Sequence, residues 1–107
     1  MLKQISIFAA NHKGALGKIT NDLAKDNINI YTMLATDSAE FGIIRLIVDN
    51  PDKALDTLQE AGYQCRIDYV LAVDMGSDQP GTLDKILTHL SQANVFVRYL
   101  YISFDRK

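Results

Sequence analysis

The chain repeats itself. Gly14, Leu16, Ile19, Leu23, Asn27, Ile28 and Ile30 recur as Gly81, Leu83, Ile86, Leu90, Asn94, Val95 and Val97, each 67 residues further on. Any two amphipathic helices share their apolar spacing. A glycine before the helix and an asparagine after it, both at that same offset, are not explained so easily. The preceding segments also match, Ile5 with Leu71 and Ile7 with Val73, with one residue inserted near Gly76-Ser77. The sequence therefore reads as one whole unit, residues 1–69, followed by the first half of a second, residues 70–107.

Periodicity supplies the elements of the unit. Residues 3–9 alternate, with Ile5 and Ile7 on one face and Gln4 and Ser6 on the other, which is a strand. Asn11-His12-Lys13-Gly14 breaks it. Leu16, Ile19 and Leu23 then mark one face of a helix from Ala15 to Asp26. Residues 28–35 are β-rich, and Asp37-Ser38-Ala39-Glu40 reads as a hairpin loop into a second, nearly continuous apolar strand, Phe41–Val48, expected to be central. Asn50 and Pro51 open a helix with a buried stripe of Ala54, Leu55, Leu58 and Ala61, and Gly62 stops it. A long β-type segment, Tyr63–Met75, follows. Strand, helix, strand, strand, helix, strand is the βαββαβ order of a ferredoxin-like α+β sandwich, here followed by a partial second βαβ unit.

Composition excludes several functions. With 11 basic and 13 acidic residues the net charge is −2, the wrong sign for a general nucleic-acid binder. One cysteine, Cys65, cannot form an intramolecular disulfide, and it points to a reducing compartment. Residues 1–8 do not form a signal peptide, and no apolar run approaches the ~18 residues of a membrane span. A cytoplasmic protein that contacts neither membrane nor nucleic acid is expected.

The strand–Asn11-His12-Lys13-Gly14-Ala15-Leu16-Gly17–helix–Asn27-Ile28-Asn29-Ile30 pattern resembles an ACT domain. Asp78-Gln79-Pro80-Gly81-Thr82-Leu83 resembles that family's Asp-x-Pro-Gly-x-Leu signature more closely, the first loop departing from it with Lys13 where proline is usual. With Phe41–Leu46 and Asp49–Ala54 between the two loops, the arrangement is similar to small proteins made of two ACT domains and nothing else. The resemblance implies a regulatory module that binds an amino acid or similar small ligand at an interface between two units. It implies a site drawn from Asn11, His12, Lys13, Gly14, Ala15 and Leu16, from Asn29, Ile30 and Tyr31, and from Asp78, Gln79, Pro80, Gly81, Thr82 and Leu83. No catalytic residue, metal ligand or cofactor is expected.

The chemistry suits that implication. Each glycine lets the backbone turn closely, and the helix behind it presents unpaired N–H groups at its positive dipole end, a receptor for a carboxylate. An oxygen of Asn11 or Asp78 would accept from the ligand's ammonium. Asp78 carries a full charge, which ranks the second loop ahead for a zwitterion. The same Asn, Asp, Pro and Gly are also what any turn and helix cap require, so a purely structural or partner-binding ACT protein is the alternative.

Other residues carry less. His12 and His89 form no cluster with metal-ligand spacing, Cys65 has nothing beside it in sequence to activate it, and Tyr99 and Tyr101 read as strand packing. Arg98, in place of Tyr31 in the repeat, reads as a solvated edge charge. An RNA-recognition module would need stacking aromatics on Glu40–Leu46, where aliphatic residues stand. An acyl-phosphate hydrolase would need an arginine in the first loop, and a metal carrier would need Cys-x-x-Cys.

In this sheet the first and second strands are not neighbours, because the third lies between them. The half unit would thus hold an open slot between Leu71–Met75 and Val95–Phe104. A homodimer or higher oligomer, with or without elements exchanged between chains, is the expectation; the alternative is a piece of a longer tandem protein whose further residues close the sheet.

Overall fold

The computed structural model of the protein describes residues 1–10, 13–37, 41–74, 76, 79–95, 97 and 100. The chain divides into two units, Met1–Ala72 and Val73–Lys107. The first contains β1 (Leu2–Ala10), α1 (Ala15–Lys25), β2 (Ile30–Asp37), β3 (Phe41–Val48), α2 (Pro51–Glu60) and β4 (Gln64–Val70). Its four strands form an antiparallel sheet in the order β2-β3-β1-β4, the ferredoxin-like arrangement, with β1 and β3 central.

Alternation along the strands sets the core. Ile5 and Ile7 of β1, with Ile44, Leu46 and Val48 of β3, meet Ile19 and Leu23 of α1 and Ala54 and Leu58 of α2 on one face of the sheet. Both ends of α2 are as its sequence dictates. Asn50 Oδ1 accepts from the Lys53 N–H at 3.3 Å, with Pro51 in the first turn of α2. Gly62 leaves that helix at φ 92°, a left-handed conformation that glycine adopts without a Cβ clash.

Three features go beyond what periodicity shows. The α1 stripe is not buried along its length: Ile19 and Leu23 have no exposed surface, whereas Leu16 is 43% exposed. Leu16 lies in the first turn, against the loop end of the helix and away from the core. The α2 stripe keeps Ala54 and Leu58, but Leu55 is half-buried and Ala61, the C-cap, is exposed. Finally, Gln4 and Ser6 point away from the helices and are nonetheless buried. Gln4 Nε2 donates to Ser6 Oγ at 3.4 Å, Ser6 Oγ donates to Asp68 Oδ2 at 2.8 Å, and Arg66 Nε reaches Asp68 Oδ1 at 3.1 Å. The Arg66 guanidinium lies over the Phe8 ring. The buried Ser6 hydroxyl thus has both a donor and an acceptor partner, on β1 and β4, as a buried polar group requires.

The second unit has one described element, α3 (Thr82–Gln92). It reproduces α1 at the repeat offset in both boundaries and turns. Gly14 and Gly81 precede the two helices at φ 85° and 91°, and Asn27 and Asn94 follow them at φ 58° and 61°. Ile28 N–H returns to Leu23 C=O at 3.0 Å, as Val95 N–H returns to Leu90 C=O at 2.9 Å. Of the strands expected to flank α3, β4 ends at Val70 and the described residues Leu71 to Asp74, 95, 97 and 100 lie outside β1–β4; Met75 and most of Val95–Phe104 lie outside the described residues.

Candidate functional site

The first loop delivers Lys13, Gly14, Ala15 and Leu16 to one turn at the start of α1. Gly14 is the N-cap, and as a glycine it offers no side-chain oxygen to the helix; among the described residues no side-chain cap is made, and the first turn carries no acidic residue. The first intrahelical bond runs from Lys18 N–H to Gly14 C=O. The N–H groups of Ala15, Leu16 and Gly17 therefore face outward with the positive end of the helix dipole. Around them stand Lys13, exposed, and Leu16, an apolar side chain left in solvent. Lys18, one turn on, is engaged elsewhere. Its ammonium lies 4.8 Å from the Tyr63 ring centre and 3.3 Å from Asp22 Oδ2, and hydrogen bonding to Tyr63 and then Asp22 holds its pKa above the usual lysine range.

The other N-termini differ. α2 is closed by Asn50 and has Asp52 in its first turn. α3 repeats the glycine cap of α1 but carries Asp84 in its first turn, at the position of Gly17 in the repeat. A carboxylate there already occupies the field that would attract an anion. Asp84 is the residue that reading the loops by motif alone passes over. Gln79, Pro80 and Gly81 are exposed and Thr82 and Leu83 half-buried beside it. Asn11, His12, Asp78, Arg98, Tyr99 and Tyr101 lie outside the described residues.

Asn29, Ile30 and Tyr31 sit at the opposite end of the unit. Ile30 pairs with Val48, whereas β1 runs into the first loop at the end where Ala10 pairs with Phe41. The eleven residues of α1 separate the two ends, a span of about 16 Å. Asn29 has both backbone groups committed: its N–H donates to Asp49 Oδ1 at 3.1 Å, and its C=O accepts from Asp49 N–H at 3.1 Å. Only its side chain is available. The β2–β3 register shifts between Ile30 and Thr32, and Tyr31, at that irregularity, is 65% exposed. Bulges of this kind re-aim a side chain. Within one unit, the loop group and the strand group are not brought together.

A family model described as an ACT domain pair matches residues 1–105. The chain belongs to the ACT domain pair family. Protein BT0572 from Bacteroides thetaiotaomicron is similar at 37% identity, over 98% of this chain and 72% of that one, with a TM-score of 0.81. The fold is shared more distantly with the regulatory subunit of aspartate kinase from Thermus thermophilus, at 17% identity over 94% of this chain and 76% of that one, TM-score 0.68. It is shared also with the ACT domain of prephenate dehydrogenase from Bacillus anthracis, at 24% identity over 59% of this chain and 99% of that one, TM-score 0.54. No functionally curated sequence matches. ACT domains are in general regulatory modules that bind amino acids.

Three further features bear on function. Among the described residues no group of three or more His, Cys, Asp or Glu is placed to hold a metal ion. No described helix is long and apolar enough to cross a membrane. Burial pushes the Cys65 thiol pKa upward, so Cys65 lacks the thiolate character of a reactive cysteine.

Proposed function

We propose that this ACT pair is a cytoplasmic regulatory module that binds a free amino acid at the turn of Lys13–Gly17. The observation that carries the reading is the uncapped N-terminus of α1, free of acidic residues, with the exposed Leu16 beside it. The ligand's carboxylate accepts from the N–H groups of Ala15, Leu16 and Gly17, and its side chain rests against Leu16. Its ammonium is met by a side-chain oxygen, Asn11 within the loop or Asn29 of a different ACT unit, since Asn29 of the same unit is at the far end. On the carboxylate side Asp84 ranks the Gly81 turn second, whereas Asp78 would favour that turn for the ammonium alone.

Regulation follows by population shift. A ligand that prefers one arrangement of ACT units over another by about 1–3 kcal/mol moves the equilibrium between them. No catalytic step is assigned to this chain, and the output is delivered through a partner, another copy included.

A thermal-shift series with the twenty amino acids tests the reading. A ligand at ten times its Kd stabilises the native state by about 1.4 kcal/mol, a rise of about 5–8 °C for a domain of this size. A series in which none raises the melting temperature at millimolar concentration rejects the amino-acid reading and leaves a structural or partner-binding ACT protein.

A further inference from the structure

The repeat keeps some of the residues that follow α1 and replaces others. Asn27, Ile28 and Ile30 recur as Asn94, Val95 and Val97, but Phe96 and Arg98 stand where Asn29 and Tyr31 would recur. The kept positions are those the fold uses. Asn27 turns the chain at φ 58°, Ile28 is 6% exposed, and Ile30 packs against the core. The replaced positions, Asn29 and Tyr31, are both exposed. Exposed positions drift in any repeat. What sets Asn29 apart is how its backbone is held.

A hydrogen-bonded antiparallel pair exchanges two N–H···O=C bonds between its residues. Asn29 and Asp49 make one of them, from Asp49 N–H to Asn29 C=O at 3.1 Å. The place of the other is taken by a side chain, Asp49 Oδ1 accepting from Asn29 N–H at 3.1 Å. The chain turns into α2 at the next residue, Asn50, and the carboxylate completes the rung. A residue at position 49 without a side-chain acceptor would leave that N–H to water. As it stands, the backbone is fixed at Asn29 by Asp49 and at Ile30 by Val48, just before the irregularity at Tyr31. A side chain on a fixed backbone has less freedom to lose when it meets a ligand.

We infer that Asp49 is a positioning residue: by holding the Asn29 backbone it sets the Asn29 side-chain oxygen where it accepts from the ammonium of the bound amino acid. The inference rests on the amino-acid reading above, and adds to it the choice of Asn29 and the residue that holds it. Asp49 acts through Asn29 and does not touch the ligand, since its Oδ1 is engaged by the Asn29 N–H. The amide oxygen of Asn29 is an acceptor for one group of the ligand alone, the ammonium. Loss of Asp49 therefore weakens ligands that carry an ammonium and spares those that do not.

Calorimetric titration tests it, with each of the twenty amino acids and, for the one that binds most tightly, the same carboxylic acid without its α-amino group. Asp49→Ala and Asn29→Ala are each expected to weaken the amino acid about tenfold, the equivalent of one charge-assisted hydrogen bond. The double variant is expected to lose no more than either single one, because the two residues act as a unit. Asp49→Asn keeps an acceptor oxygen and is expected to restore most of the loss. The deaminated acid is expected to bind wild type and variants alike. Amide hydrogen exchange at Asn29, without ligand, is expected to quicken in Asp49→Ala and to slow again in Asp49→Asn. Unchanged binding in Asp49→Ala, losses that add in the double variant, or an equal loss for the deaminated acid overturns the role of Asp49 and leaves the amino-acid reading standing. A wild type that binds none of the twenty rejects that reading, and the role of Asp49 with it.

Discussion

Gly17 and Asp84 hold the same place in the repeat, the third residue of α1 and of α3, and exchanging their chemistry tests how the first turn works. Gly17 lies in the helix with no atom within 4 Å of where a Cβ would stand, so Gly17→Asp meets no steric obstacle. An acid in the first turn stabilises a helix by about 0.3–1 kcal/mol, and melting should rise by about 2–5 °C. Ligand binding should move the other way. A carboxylate bound at the same N–H groups would lie about 6 Å from the new one, the spacing of neighbours around a helical turn. At an effective dielectric constant of 20–40 the repulsion is about 1.4–2.8 kcal/mol, a roughly ten- to hundredfold rise in Kd. Calorimetric titration with the amino acid that gives the largest thermal shift measures it. Gly17→Asn is the control, alike in size and helix position but uncharged, and 0.5 M salt should restore part of the loss. A more stable Gly17→Asp protein that binds no worse than Gly17→Asn would refute the reasoning, because the carboxylate would then sit elsewhere.

Further expectations come from single contacts. A Cβ on Gly42 would stand 2.8 Å from the Thr36 carbonyl oxygen on β2, so Gly42→Ala should lower stability by about 1–3 kcal/mol in urea melts. Ser6→Ala removes both the acceptor of Gln4 and the donor to Asp68, and the same measurement should show a loss of about 1–3 kcal/mol. The raised Cys65 pKa means the native state holds the thiol proton more tightly than the unfolded chain. That contribution is complete below the unfolded thiol pKa and is lost as pH rises through the folded value. Stability should therefore fall with alkaline pH more steeply in the wild type than in Cys65→Ala, as pH-dependent melting would show.

Much of the fold was legible because periodicity and turn chemistry agree. The alternation of Ile5 and Ile7, the spacing of Ile19 and Leu23, and the glycines and asparagines at Gly14, Gly81, Asn27 and Asn94 each appear in the structure where the repeat requires them. What stayed hidden depends on neighbours in space. The pattern shows that Gln4 and Ser6 face away from the helices, but not that Ser6 bonds to Asp68 on β4, sixty-two residues away. Likewise, Leu16 fits the α1 stripe by spacing, yet it lies in the turn beyond the core. The candidate site was legible as two motifs and not as geometry. Loop residues 13–16 and strand residues 29–31 are near in sequence, and only the register of β2 on β3 shows that they occupy opposite ends. The irregularity at Tyr31 belongs to that register too.

The most direct test of the central claim is a residue-resolved one. In a nitrogen-15 amide spectrum titrated with the amino acid that stabilises the fold most, the account predicts the largest shifts at Ala15, Leu16 and Gly17. Small changes at Thr82–Asp84 and at the capped start of α2 should accompany them. Shifts confined to other amides, or none at saturating ligand, would contradict it.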